Sequence, residues 1–421
     1  MDRVHEIVDH ARVRSVFQPI VRLDDASVVA YEALTRGPEG PLERPDLLFA
    51  AARDAGRLAD LDALCRTTAL RTAVQAGIRA PLGLFVNVEP EVLDSEALDA
   101  LIDIARTAPG GLDVVLEITE RAIGARPAEL LACVRTLREA GWRIALDDVG
   151  ADDLSLAFMP LLRPDIVKLD LRLVQQRPGP AVASIMNAVN AYAERSGAIL
   201  LAEGIETAEH VSVARALGAR LGQGWHFGRP APRPPVPTGA AAERARAALR
   251  LPPGEARPTP ASPFACLPPT ADVRTSTKLL LVELSKHLER EALAHGSTCV
   301  VVSTFQYAHQ FTAATARRYA ALADRVGFVA ALGAGLPVEP VPGVRGADLS
   351  ADDPVRDEWD VVVIAPHFAA ALLAQDLGGP EDDRPERERR FGFALTYDRD
   401  VVTRAAHSLL ARVLPAPVLV P

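Results

Sequence analysis

The sequence predicts two folded blocks. The first, residues 1–235, is a modified TIM (β/α)8 barrel whose first strand runs antiparallel; the second, residues 266–415, is a smaller α/β domain. Three observations carry this. Eight apolar or β-branched runs recur along the first block, most of them separated by amphipathic stretches. Each run carries a polar residue inside it or near its end. Prolines then crowd between Arg229 and Thr270, which marks 236–265 as a Pro/Ala-rich linker, with a short helix at 240–250.

The runs are taken in order. They are VFQPIV (16–21), VVAYEAL (28–34), LGLFVNV (82–88), VVLEIT (114–119), RIALDDV (143–149), DIVKLD (165–170), ILLAEG (199–204) and GQGWHF (222–227). Strands alternating with helices imply parallel βα units, and eight of them close a barrel. Between the first two runs only RLDDAS intervenes. That is too short for a crossover helix, so these two strands form a hairpin turning at Asp24–Asp25. In the second block CVVVSTF, FVAALG, WDVVVIAP and FGFALTYD read as strands, for a total of four or five. TSTKLLLVELSKHLEREALAHG, YAHQFTAATARRYAALADRVG, HFAAALLAQDLGG and DVVTRAAHSLLARVL read as helices.

Bulk properties narrow the function. At 421 residues the chain is 49% hydrophobic with a formal net charge of −9, which suits a soluble protein and argues against a nucleic-acid polymer as partner. Lysine occurs only at Lys168, Lys278 and Lys286. Cys65, Cys133, Cys266 and Cys299 are widely spaced and form no CxxC pair, so neither a zinc site nor a disulfide framework is expected. The N-terminal stretch is charged, and the longest apolar run, from Val361, is too short to span a bilayer. A cytoplasmic protein without a membrane partner is the expectation.

The polar residues on the eight runs are Gln18, Glu32, Asn87, Glu117, Asp147 with Asp148, Lys168, Glu203 and Gln223. In a closed parallel barrel the C-terminal strand ends converge on one mouth. Carboxylates gathered there repel each other, so their pKa values rise or cations sit between them. Oxygen donors with one amide suit magnesium or manganese, and two such ions make a clamp for phosphodiester cleavage. A single acidic residue on a strand is more often a cap or an ion-pair partner; the aligned set is what points to a site.

These residues carry a resemblance. YEALTR (31–36) resembles the signature of the EAL family of cyclic di-GMP phosphodiesterases, and FVNVEP, LEITE, ALDDVG, DIVKLD, LAEGIET and GQGWHFGRP follow in order. The resemblance implies one metal held by Glu32, Asn87, Glu117 and Asp147, and a second by Asp147, Asp148 and Glu203. It implies Lys168 beside the attacking water, with Glu32, Glu203 and Gln223 completing the catalytic group. Gln18, Arg36, Asp148 and Pro230 correspond to substrate contacts, and Glu120 to the anchor of the loop after the fifth strand. Two Mg2+ or Mn2+ ions, cyclic di-GMP as substrate, linear pGpG as product and a homodimer are implied with it.

One stretch departs from the family. Where it usually reads FGTGYSSL, this chain reads VGADDLSL (149–156), with Asp152 and Asp153 as added carboxylates. An alternative follows: a receptor that binds cyclic di-GMP without cleaving it. A weaker third reading is a scaffold that keeps the barrel only for dimerisation. The second block resembles the DICT domain, a sensory module, over 300–333 and 357–378. That implies regulation by an unknown ligand or protein. His309, His367 and His407 are scattered and form no constellation.

Overall fold

The computed structural model describes residues 2–89, 95–119, 124–177, 179–249, 260–378 and 385–413. The chain forms two compact units. One comprises Met1–Ala122, Cys133–Ala151 and Pro164–Ala256; the other comprises Ile123–Ala132, Asp152–Arg163 and Arg257–Pro421.

In the first unit eight strands close a barrel in chain order. They are β1 (Arg14–Arg22), β2 (Val28–Arg36), β3 (Gly83–Asn87), β4 (Asp113–Ile118), β5 (Arg143–Val149), β6 (Ile166–Leu169), β7 (Ile199–Ala202) and β8 (Leu221–Gln223). β1 pairs antiparallel with both β2 and β8, and the remaining pairs are parallel. The short connection foresaw this, since six residues cannot carry a crossover. The interior is filled by Ile20, Ala30, Phe85, Val115, Ala145 and Leu201, which share the inward face with the polar residues of their strands and are all buried.

The amphipathic stretch between β2 and β3 forms two helices, Pro45–Asp54 and Leu58–Gln75, separated at Gly56 with φ 66°. One difference from expectation has a local cause. The eighth strand stops at Gln223 rather than running on to Phe227. A Cβ on Gly224 would lie 2.0 Å from the Ile205 carbonyl oxygen, so the chain passes Ile205 with bare backbone and turns.

The proline-rich stretch is partly folded onto the barrel. Tyr31 Oη donates to the Pro235 carbonyl. The helix Ala240–Ala248 follows, and Leu249, 3% exposed, seats against Gly83 at the start of β3. Arg143 donates to the Leu249 carbonyl at 2.6 Å. These contacts close the end of the barrel opposite the C-terminal strand ends.

The second unit holds a seven-stranded sheet in the order β12-β11-β10-β13-β14-β15-β9. Its strands are β9 (Arg274–Thr277), β10 (Val300–Tyr307), β11 (Phe328–Ala334), β12 (Arg345–Ala347), β13 (Glu358–Ile364), β14 (Ala369–Asp376) and β15 (Arg390–Thr396). One face packs Val301, Val329, Val361, Val363 and Leu372 against Leu281, Leu288, Tyr319 and Leu322 of the helices Lys278–His295 and Ala313–Ala323. The alternate residues Val300, Val302, Ala330, Val362 and Leu373 are equally buried, so both faces are covered. The helix Asp153–Leu162 belongs to this unit, and its residues from Ser155 to Leu162 are all buried.

β14 corrects the sequence reading, which took HFAAALLAQDLGG as a helix. A strand buried on both faces shows no alternation, and alanine and leucine favour helix locally. Here β14 lies between β13 and β15 and ladders with each. β9 and β12 were also missed: the first is polar and the second is three residues long. Among the described residues, no helix is long and apolar enough to cross a membrane.

Candidate active site

The register assembles the site. Gln18 on β1 lies opposite Glu32 on β2, and Ile20 opposite Gln223 on β8. Gln223 Nε2 therefore reaches both Glu32 Oε2, at 2.5 Å, and Gln18 Oε1, at 3.2 Å. Asn87 and Glu117 are direct partners across β3 and β4. Asn87 Nδ2 donates to Glu32 Oε1 at 3.0 Å.

β5 solves a geometric problem. Successive residues of a regular strand point to opposite sides, so Asp147 and Asp148 could not share a site. The β5–β6 register shifts between Leu146 and Val149, and Asp148 takes a left-handed φ of 54°. This bulge turns both carboxylates to one side. Ligand oxygens of Asp147, Asp148 and Glu203 lie within 4.8 Å of one another.

Lys168 occupies the centre at 1% exposure. Its Nζ lies 2.6 Å from Glu117, 2.8 Å from Glu203, 3.0 Å from Asp147 and 3.9 Å from Glu32. Burial alone would lower this ammonium's pKa, but the four carboxylates raise it well above its ordinary value. Burial drives Glu117 well above the carboxylate range, with Glu32 adding repulsion against the pull of Lys168. Desolvation pushes Glu203 up to about 8, again opposed by Lys168. Glu32 feels the same desolvation, yet Lys168, Gln223 and Asn87 hold it below its usual value. One cluster thus holds carboxyls of opposite tendency around a single cation.

The donor set fits divalent metal. It is hard oxygen plus one amide, and a cation already sits among it in Lys168 Nζ. Glu117 Oε2 is buried without a hydrogen-bond partner, an acceptor facing a cluster that offers few protons.

The other expected residues lie as follows. Gln18 Nε2 donates to the Gly228 carbonyl at 3.3 Å. Half-buried Pro230 precedes Ala231, which pairs with Phe17 of β1. Arg36 ends β2 and donates to the neighbouring Thr35 carbonyl at 2.8 Å. No contact with the carboxylate cluster is among its described bonds. Glu120 lies outside the described residues. Asp152 and Asp153, the added carboxylates, are engaged elsewhere. Asp152 caps the helix Asp153–Leu162, accepting from the Leu154 N–H at 2.7 Å, and Asp153 accepts from Ser297 Oγ at 2.6 Å.

The sequence reading missed Asp62. It lies buried in the helix Leu58–Gln75, and its Oδ1 accepts the Glu89 N–H at 3.0 Å, two residues beyond Asn87. The available signal was an Asp and an Arg four residues apart on an otherwise apolar helix face.

This barrel with carboxylates on its strand ends places the chain in a family. Residues 2–230, more than half the chain, match the model of the EAL domain, and the chain belongs to that family. Residues 266–377 match the model described as the sensory domain in diguanylate cyclases and two-component systems, DICT. The chain is 28% identical over 236 residues to the "Probable cyclic di-GMP phosphodiesterase PdeB" of Escherichia coli (strain K12), covering 55% of this chain and 45% of that protein. It is 30% identical over 234 residues to the "Cyclic di-GMP phosphodiesterase RocR" of Pseudomonas aeruginosa, covering 53% and 59%. The solved manganese and cyclic di-GMP complex of Klebsiella pneumoniae BlrP1 is 29% identical, with a TM-score of 0.48 over 52% of this chain and 56% of that one. This chain spans about half the length of the curated relatives it matches.

Proposed function

We propose that this chain is a metal-dependent phosphodiesterase that opens cyclic di-GMP to linear pGpG, with the second unit regulating it. The observation that carries the reading is the ring of carboxylates from β2, β4, β5 and the end of β7 around Lys168 Nζ. Glu32, Asn87, Glu117 and Asp147 would hold one divalent ion, and Asp147, Asp148 and Glu203 the other. Bound there, Mg2+ or Mn2+ would acidify a water and neutralise charge on the phosphoryl oxygens. Lys168, kept protonated by its neighbours, would orient that water by hydrogen bonding. Gln223 fixes the Glu32 carboxylate and, with Glu32 and Glu203, would complete the catalytic group. Arg36 would offer a forked donor to phosphate, with Gln18, Asp148 and Pro230 as further substrate contacts. Water adds to phosphorus, one ester P–O bond breaks, and the released oxygen takes the proton.

The same reading includes Glu120 as anchor of the loop after the fifth strand, a homodimer, a cytoplasmic place, and a ligand or protein acting on the second unit. The domain limits go with it: barrel to 235, linker to 265, sensory domain to 415. The test incubates the full chain with cyclic di-GMP and Mg2+ or Mn2+ and separates the products. Metal-dependent pGpG, abolished in Glu32→Ala and Lys168→Ala, is expected. Tight binding without product would replace this reading with that of a receptor.

A further inference from the structure

Asp62 and Arg66 stand four residues apart in the helix Leu58–Gln75, and each is 2% exposed. Arg66 Nη2 meets Asp62 Oδ2 at 2.6 Å. Removing two charges from water is costly, and replacing such a pair by apolar side chains is often neutral or stabilising. Fold stability alone is therefore a weak reason for the pair. Arg66 spends nothing else on its surroundings: its Nε and Nη1 have no hydrogen-bond partner among the described residues.

The free side of Asp62 shows where the pair acts. β3 ends at Asn87. Beyond it the Val88 N–H still reaches the Glu117 carbonyl, at 3.3 Å. The next donor, the Glu89 N–H, has left the ladder and is caught by Asp62 Oδ1 at 3.0 Å. The two peptides that follow Asn87 at the end of β3 are thus both held. Asn87 in turn hands its amide N–H to Glu32 at 3.0 Å. A buried carboxylate whose second oxygen is ion-paired with a buried guanidinium is restrained as an acceptor, and a restrained acceptor restrains the peptide it holds.

We infer that Asp62 and Arg66 are positioning residues for Asn87: their ion pair anchors the Glu89 peptide and so sets where Asn87 presents its amide to the carboxylate cluster. The inference rests on reading that cluster as a divalent-cation site.

The test measures Mn2+ affinity of the full chain by titration calorimetry, without substrate. The variant Asp62→Val/Arg66→Met removes the acceptor while leaving no charge buried unpaired. It should weaken Mn2+ binding about ten-fold, the range found when groups that orient metal ligands are removed. Made in an Asn87→Ala background, the same change should cost less than about two-fold, because the residue it acts through is gone. Asp62→Asn/Arg66→Met keeps the Oδ1 acceptor and should restore most of the affinity. Should the valine variant fail to fold, Asp62→Glu, which moves the acceptor by one methylene and keeps the pair, should show the same dependence on Asn87. Equal losses with and without Asn87, or no loss at all, overturn the inference. Wild-type protein that takes up no Mn2+ overturns the cation-site reading and this inference together.

Discussion

Replacing Lys168 with methionine should unbalance the barrel mouth in a way that pH can reverse. Methionine matches the length of lysine and removes only the charge. Four carboxyls, each 2.6–3.9 Å from the Lys168 ammonium in the wild type, then face each other with no cation among them. The cluster offsets the lost positive charge by taking up about one proton. The carboxyl that must accept it is one that is ionised in the wild type, such as Glu32, whose pKa lies below its ordinary 4.5. Protonating an ordinary carboxylate at about pH 7.5 costs about 4 kcal/mol, three units at about 1.4 kcal/mol each. That agrees with the ~3–5 kcal/mol seen when one member of a buried pair is removed. The sign follows from proton counting. The native variant binds about one carboxyl proton more than the native wild type, whereas the carboxyls of the two unfolded chains are alike, so the variant's stability relative to wild type falls as pH rises from about 4.5. At about pH 5 the loss should be below about 1 kcal/mol. Hydrogen exchange of β6 peptides in EDTA reads this locally. Lys168→Met should exchange about a thousand-fold faster than wild type at pH 7.5 and only a few-fold faster at pH 5, each compared at the same pH. A loss of equal size at both pH values would refute the argument, because packing does not titrate.

Two further outcomes follow from other parts of the chain. Leu249→Ala should cost about 2–4 kcal/mol, since Leu249 is 3% exposed and fills the space left by Gly83; a urea melt checks it. In the second unit Glu358 and Asp360 lie two residues apart on β13, and burial raises both pKa values, Asp360's well above its ordinary value. Arg404, Arg412 and Cys266 are the charged and titratable groups around them, and Arg412 is itself bonded to Asp353. The folded state holds more protons here than the unfolded chain, so stability should fall as pH rises above the ordinary carboxylate range. Asp360→Asn should flatten that fall, read as the change in Tm between about pH 5 and pH 8; unchanged slopes would contradict it.

The barrel was legible because its strands advertise their ends. A polar residue closing an apolar run, as at Glu117 or Lys168, marks both the strand and the mouth. What stayed hidden depended on partners distant in sequence. β14 reads as a helix until β13 and β15 flank it. β8 ends early because Ile205 passes too close to Gly224 for any side chain. Within the site, the side-chain types could be read but not the means of gathering them. Consecutive aspartates need the bulge at Leu146–Val149 to act together, and bulges leave no compositional trace. Asp62 looked like one more helical acid, because its work is done on a backbone N–H far along the chain.

The stretch from Pro235 to Leu249 bears on how such a domain travels between proteins. It lies beyond residue 230, where the family pattern ends. Yet it supplies the Pro235 carbonyl to Tyr31, the Leu249 carbonyl to Arg143 and the Leu249 side chain to the floor of the barrel. A gene fusion or an expression fragment cut at the pattern's edge would keep the carboxylate cluster and lose the floor. Part of what looks like spacer in the sequence is therefore part of the barrel's fold.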